Sequence, residues 1–121
     1  MRFITKLLLT VFFNFIVLKI YSIDMPKDLI VKIIKESEDQ DDTKSKNLDL
    51  ISVKYSGWIF DSNASTNNYC EAKGKMFDSN IFDTFHHTRP FQFVLGKGVV
   101  IKGWDLGLQD MRIDEQRCLV I

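Results

Sequence analysis

Residues 91–111, FQFVLGKGVVIKGWDLGLQDM, change hydrophobic period midway, and that change restricts the folds open to the chain. Phe91, Phe93 and Leu95 alternate, which puts them on one face of a strand. Gly96 and Gly98 mark a turn, and an apolar Val99-Val100-Ile101 leads to Gly103-Trp104. From Trp104 the spacing is helical: Trp104, Leu108 and Met111 fall at i, i+4 and i+7, on one side of a short helix. A strand that turns through glycine into a helix led by tryptophan brings aromatic rings and backbone donors together, as a small apolar pocket requires.

The chain has 121 residues, room for one small domain. Its start reads differently. Arg2 and Lys6 precede LLLTVFFNFIVL, and Ser22 supplies a small residue at a cleavage point. A basic start, an apolar middle of about a dozen residues and a small residue form a secretory signal peptide, here residues 1–22. A membrane anchor is the competing reading. Asn14 interrupts the apolar run and Lys19 ends it, which leaves it short for a span. Cleavage would leave no stable membrane anchor.

The chain carries 16 basic and 16 acidic side chains. Losing residues 1–22 removes Arg2, Lys6 and Lys19 and no acid, so the basic count falls to 13. A mildly acidic chain without a basic stripe lacks the surface that neutralises phosphates, so nucleic acid is not an expected partner. Cys70 and Cys118 are either bridged, as a secretory compartment permits, or unpaired; spacing alone does not decide. His86-His87 adds two nitrogens without ligand spacing, and no metal is expected.

Residues 28–35, DLIVKIIK, read as a strand rich in β-branched residues. Residues 36–47 are polar and charged, a loop or disordered connector. Their SEDQDD cluster lacks the glycine and terminal glutamate of a calcium loop. Residues 48–60 resume strand character, with Ile51, Val53 and Tyr55 on one face and Gly57 marking a bulge or a close backbone approach. The polar stretch 61–75 contains Asn63-Ala64-Ser65, an N-glycosylation sequon. MFDS at 76–79 leads into a loop with Phe82, Phe85, His86 and His87, ending at Arg89-Pro90. RIDEQRCLVI after Met111 is a turn and a strand. Several strands and one short helix predict an α+β fold with an antiparallel sheet. The last residue, Ile121, falls inside an apolar strand, which suggests a C-terminally truncated form.

The ordered set VKYSG (53–57), MFDS (76–79), RPFQFVLGKGVVIKGWDLGLQDM (89–111) and EQRCLVI (115–121) resembles the FKBP-type peptidyl-prolyl cis-trans isomerases, most of all their secretory-pathway members. The resemblance divides the chain into a signal peptide (1–22), an N-terminal strand and polar linker (23–47) and an isomerase domain incomplete at its C-terminus (48–121). It implies a curved antiparallel β-sheet wrapped around one short α-helix, with the final strand missing. It also implies a pocket between sheet and helix. Trp104 would be the floor under a proline ring, and Tyr55, Phe77 and Phe91 the walls. Asp78 would be the polar group at the rim, Val100 a lining residue, and the Ile101 N–H the donor to a substrate carbonyl. The expected partners are proline-containing polypeptides and macrolide ligands, with no cofactor. The expected location is the lumen of the endoplasmic reticulum or the exterior. The hairpin after Trp58 and the loop 80–89 are longer than the family pattern.

Each residue also has a plainer role. Tyr55, Val53 and Phe93 suit a strand core, and Asp78 suits a turn. Gly96-Lys97-Gly98 is not a nucleotide loop, because no Gly-Lys-Ser/Thr follows. Two readings compete with an enzyme: a non-catalytic protein-binding or chaperone domain inactivated by truncation, and a form that does not fold independently.

Overall fold

The computed structural model describes residues 22–121. The choice between signal peptide and anchor rests on a segment outside these residues. Among the described residues no helix is long and apolar enough to cross a membrane. The strands are β1 (Ile30–Lys35), β2 (Leu50–Val53), β3 (Ser56–Phe60), β4 (Lys73–Ser79), β5 (Phe91–Val94) and β6 (Gln116–Val120). Helix α1 spans Lys102–Gly107, and single 3-10 turns occupy Tyr69–Glu71 and Asp83–Phe85. The α+β class and short helix agree with the sequence. MFDS lies within β4, and the predicted strand 48–60 is broken at Lys54-Tyr55.

Every pair is antiparallel: β1 with β6, β2 with β5, β3 with β4. Among the described residues the strands are hydrogen-bonded as these three two-stranded units, not as one continuous sheet. Ile51 faces Phe93 and Val53 faces Phe91 across β2–β5. Phe93, Leu95 and Leu108 form the buried core, with Ile51, Val53, Val100, Trp104, Met111 and Leu119 packed around them.

Helix α1 is shorter than its apolar spacing predicts. Leu108 is its C-cap, and Met111 follows a turn in which Asp110 has a φ of 56°. All three apolar residues still reach the core. The opposite face was not anticipated. A Cβ on Gly107 would stand 2.6 Å from the Leu119 side chain, and one on Gly103 2.6 Å from that of Ile121. The absent side chains let β6 lie against the helix backbone. Six residues do not hold a helix alone in water. This one is fixed from outside at both ends. The Asp105 carboxylate accepts the N–H groups of Gly96 and Gly98, each at 2.8 Å, where both glycines have positive φ. Arg117 donates to the carbonyls of Gly107 and Gln109 at 3.0 and 2.6 Å.

Residues 36–47 form a loop tied to the turn before β6. Ser37 Oγ donates to the Ile113 carbonyl at 2.6 Å, and Arg112 Nη2 to the Asp39 carbonyl at 2.7 Å. Asp39 and Asp41 accept the N–H two residues onward at 2.9 Å, so these carboxylates order their own loop. The Thr43 hydroxyl also donates to Asp41, which lowers that carboxyl's pKa.

Cys70 and Cys118 form a disulfide with Cα atoms 6.0 Å apart. It ties the 3-10 turn of the β3–β4 connection to β6 across a sequence separation of 48. Replacing both cysteines with serine is expected to lower the unfolding free energy by about 2–4 kcal/mol. Urea denaturation measures this, and a reductant should reproduce the loss in the parent protein and leave the double variant unchanged.

Candidate active site

The break between β2 and β3 turns Tyr55 toward helix α1. Its ring meets Trp104 edge-on, with centroids 5.0 Å apart and planes at 76°. Phe91, at the start of β5, approaches the same indole at 6.1 Å and 67°, and Phe93 at 5.9 Å and 40°. Phe91 and Phe93 stack on each other at 5.5 Å. The two share one face of β5, but Phe91 begins the strand and Phe93 lies inside it: Phe93 is 6% exposed and Phe91 43%. Trp104 is therefore the ring on which strands and helix converge, half in the core and half at the surface. Edge-on packing sets the positive rim of one ring against the negative face of another.

Polar groups surround one side of this cluster. Tyr55 Oη donates to Asp78 Oδ2 at 2.5 Å, while Asp78 Oδ1 lies 2.8 Å from His87 Nε2 and accepts the Ser79 N–H at 2.9 Å. Burial, followed by the hydrogen bond and charge of Asp78, pushes the Tyr55 phenol up to about 12. The Tyr55 hydrogen bond holds the Asp78 carboxyl below its ordinary value; burial opposes this, and His87 and the Ser79 N–H reinforce it. The two groups titrate at opposite ends of the scale. Tyr55 contributes stability that is full below its ordinary 10.0 and lost as pH rises toward 12. Asp78 contributes stability above its ordinary 3.8 that is lost as pH falls through its lowered value. In an absorbance titration Tyr55→Phe should remove a phenol ionising near 12. Asp78→Asn should bring that ionisation down only part of the way, because burial is the larger cause.

The structure brings Tyr55, Phe91 and Trp104 together as rings and attaches Asp78 to them through Tyr55. Phe77 does something different. Its ring lies over Gly57, where a Cβ would stand 2.6 Å from it, and it is 57% exposed. Gly57 thus makes the close approach expected of it, and the β3–β4 register also shifts between Gly57 and Trp58. Val100 packs on the core. Ile101 is 60% exposed, and its carbonyl accepts the Trp104 N–H at 2.9 Å to open the helix. Among the described residues its own N–H has no hydrogen-bond acceptor.

Sequence reasoning missed the residue that holds the site together. Asn80 is 1% exposed. Its Oδ1 accepts the Tyr55 N–H at 2.7 Å, and its Nδ2 donates to the carbonyls of Val53 and Arg89 at 3.0 and 3.2 Å. Its own N–H donates to the Tyr55 carbonyl at 3.1 Å. The strand break and the long loop 80–89 are thereby joined. His87, which lacks metal-ligand spacing, reaches Asp78 instead. An asparagine in a polar loop carries no periodic signal, so nothing local marks it as buried.

The family model for FKBP-type peptidyl-prolyl cis-trans isomerases matches residues 41–121. The chain belongs to this family. Its relatives include FK506-binding protein 5 of Dictyostelium discoideum, 45% identical over 75 residues, which are 62% of this chain and 4% of that protein. FK506-binding protein 4 of Rhizopus delemar is 36% identical over 97 residues, 80% of this chain and 20% of its own length. FK506-binding protein 2 of Podospora anserina is 40% identical over 80 residues, 66% of this chain and 35% of its own length. The chain therefore spans about a third or less of each of these relatives. The matched segment includes every ring around Trp104, the Tyr55–Asp78 pair, and both attachments of helix α1.

Proposed function

We propose that this chain catalyses cis–trans isomerisation of peptidyl-prolyl bonds and assists protein folding in the secretory pathway. The observation that carries the reading is the convergence of Tyr55, Phe91 and Phe93 on Trp104, with the Tyr55–Asp78 hydrogen bond beside it. We assign Trp104 as the floor under the proline ring and Tyr55, Phe77 and Phe91 as walls. Val100 lines the pocket, Asp78 forms its polar rim, and the Ile101 N–H donates to the substrate carbonyl. In this reading the three hydrogen-bonded strand pairs together curve around α1, with breaks in the hydrogen bonding between them.

The chemistry needs no nucleophile. The barrier, about 20 kcal/mol, comes from the double-bond character of the X–Pro amide. Resonance separates charge in the planar amide, and twisting reduces it. An apolar aromatic site destabilises the planar form more than the twisted one, so it lowers the barrier by differential binding. A donor placed for the twisted carbonyl adds to that difference. The Asp78 carboxylate, held by Tyr55, His87 and the Ser79 N–H, already has hydrogen bonds on both oxygens. It serves as a fixed polar edge, not as a base. The relatives' names include FK506 binding, and we extend macrolide binding to this site. The secretory location is supported by the Cys70–Cys118 disulfide, since such bonds persist in oxidising compartments.

The test is isomerisation of a proline test peptide by the full chain, with and without an FK506-type macrolide. Acceleration suppressed by the macrolide is expected. Macrolide binding without acceleration would instead favour a non-catalytic binding domain. Neither binding nor acceleration would sink both readings.

A further inference from the structure

The sequon Asn63-Ala64-Ser65 takes no part in the aromatic cluster. We infer that Asn63 carries an N-linked glycan, acquired as the chain enters the secretory pathway. The inference rests on the secretory reading above and adds a covalent modification to it.

The first support is accessibility. Asn63 and Ser65 are exposed, in the connection between β3 and β4. Asp61 organises that turn: its Oδ1 accepts the Asn63 N–H at 2.9 Å, and its carbonyl accepts the Ala64 N–H at 3.2 Å. Among the described residues neither the Asn63 carboxamide nor the Ser65 hydroxyl enters a hydrogen bond. The contrast with other asparagines is sharp. Asn68 caps the 3-10 turn, accepting the Cys70 N–H at 3.1 Å and donating to Glu71 at 2.9 Å. Asn80 is buried with its carboxamide fully engaged. Asn63 has a carboxamide nitrogen to offer, with a hydroxyl two residues onward as the sequon requires.

The second support is the compartment. Cys70 lies in the same β3–β4 connection as Asn63 and is bonded to Cys118. A bridge there fits the oxidising lumen, where sequons are also modified. The transfer is a substitution at the anomeric carbon of an oligosaccharide diphospholipid. The carboxamide nitrogen forms the new carbon–nitrogen bond, the bond to the diphosphate oxygen breaks, and the displaced proton leaves with the lipid diphosphate.

The third is position relative to the site. Gly57 pairs with Asp78 at one end of the β3–β4 hairpin, and Phe60 with Lys73 at the other. Asn63 lies beyond Phe60. The strand from Gly57 to Phe60 rises roughly 10 Å, so a glycan extends the hairpin away from the Tyr55–Asp78 rim. Isomerase activity should therefore be indifferent to it.

The experiment expresses the full chain in cultured eukaryotic cells and follows three properties. These are protease protection in isolated vesicles, gel mobility before and after peptide-N-glycosidase, and peptide mass at residue 63. Expected are a protected chain and a single upward mobility step that the glycosidase removes. The step should be absent in Asn63→Gln and Ser65→Ala and present in Ser65→Thr, with peptide isomerisation unchanged in Asn63→Gln. A chain that is protected and disulfide-bonded but unmodified at Asn63 overturns the glycan and leaves the secretory reading intact. A chain open to protease overturns both.

Discussion

Arg117→Ala should lower the unfolding free energy by about 3–5 kcal/mol, the range for breaking a buried ion pair. Arg117 and Glu115 side chains are 9% and 3% exposed and joined at 2.5 Å. The guanidinium also donates to the carbonyls of Gly107, Gln109 and Asp110, at 3.0, 2.6 and 2.8 Å. Truncation would strand a buried carboxylate and the part-buried carbonyls of Gly107 and Gln109, at the end of a helix too short to persist without such partners. Arg117→Lys keeps the charge but not the planar fork, and should fall between. Replacing both partners, Glu115→Leu with Arg117→Met, should recover only the part of the loss that comes from the stranded carboxylate, since the carbonyls of Gly107 and Gln109 still lack their donor. Urea unfolding of the four proteins reads this directly. A loss below about 1 kcal/mol for Arg117→Ala, as at exposed pairs, would remove Arg117 from its role.

Trp104→Ala should cost about 3–5 kcal/mol in stability, as large aromatic truncations in packed sites do. Under the proposed function it should also lower catalysed isomerisation sharply. Tyr55, Phe91 and Phe93 all lean on this indole at 5.0–6.1 Å, so its removal leaves a gap that three rings cannot close together. A loss of about 3 kcal/mol of transition-state binding corresponds to a rate loss above about 100-fold. Trp58 remains as a fluorescent reporter of folding, so lost activity can be separated from lost structure. Tyr55→Phe is the control. It keeps the ring edge on Trp104 and removes only the hydroxyl from Asp78, so its effect on rate should be much smaller. If Trp104→Ala folds at low temperature and still accelerates isomerisation, the indole is not the pocket floor.

These two residues differ in how visible they are in the sequence. Trp104 stands at the change from strand to helical period, and its part in the core follows from that position. Arg117 lies near the start of β6, just after a charged turn, and no periodic signal marks its side chain as buried. Its burial depends on where β6 meets the end of α1, and that meeting depends on Gly103 and Gly107 lacking side chains. The same division runs through the site. Tyr55, Asp78, Phe91 and Ile101 are candidates that the family pattern names. Asn80, which fixes the Tyr55 backbone, and His87, which reaches Asp78, are not among them. The overlong helix expectation has a related cause. Apolar spacing continues through Met111, but hydrogen bonding ends where the backbone turns at Asp110.

The fold class, the family and the rings that meet at Trp104 are legible in the amino-acid sequence. Period, glycine placement and motif order are local, and each is written in consecutive residues. The tertiary structure alone decided that Cys70 joins Cys118, that a buried asparagine links two strands to a loop, and that one arginine closes the helix. Those features rest on groups brought together from distant parts of the chain. Their energies come from burial and from unsatisfied partners, and both exist only once the chain has folded.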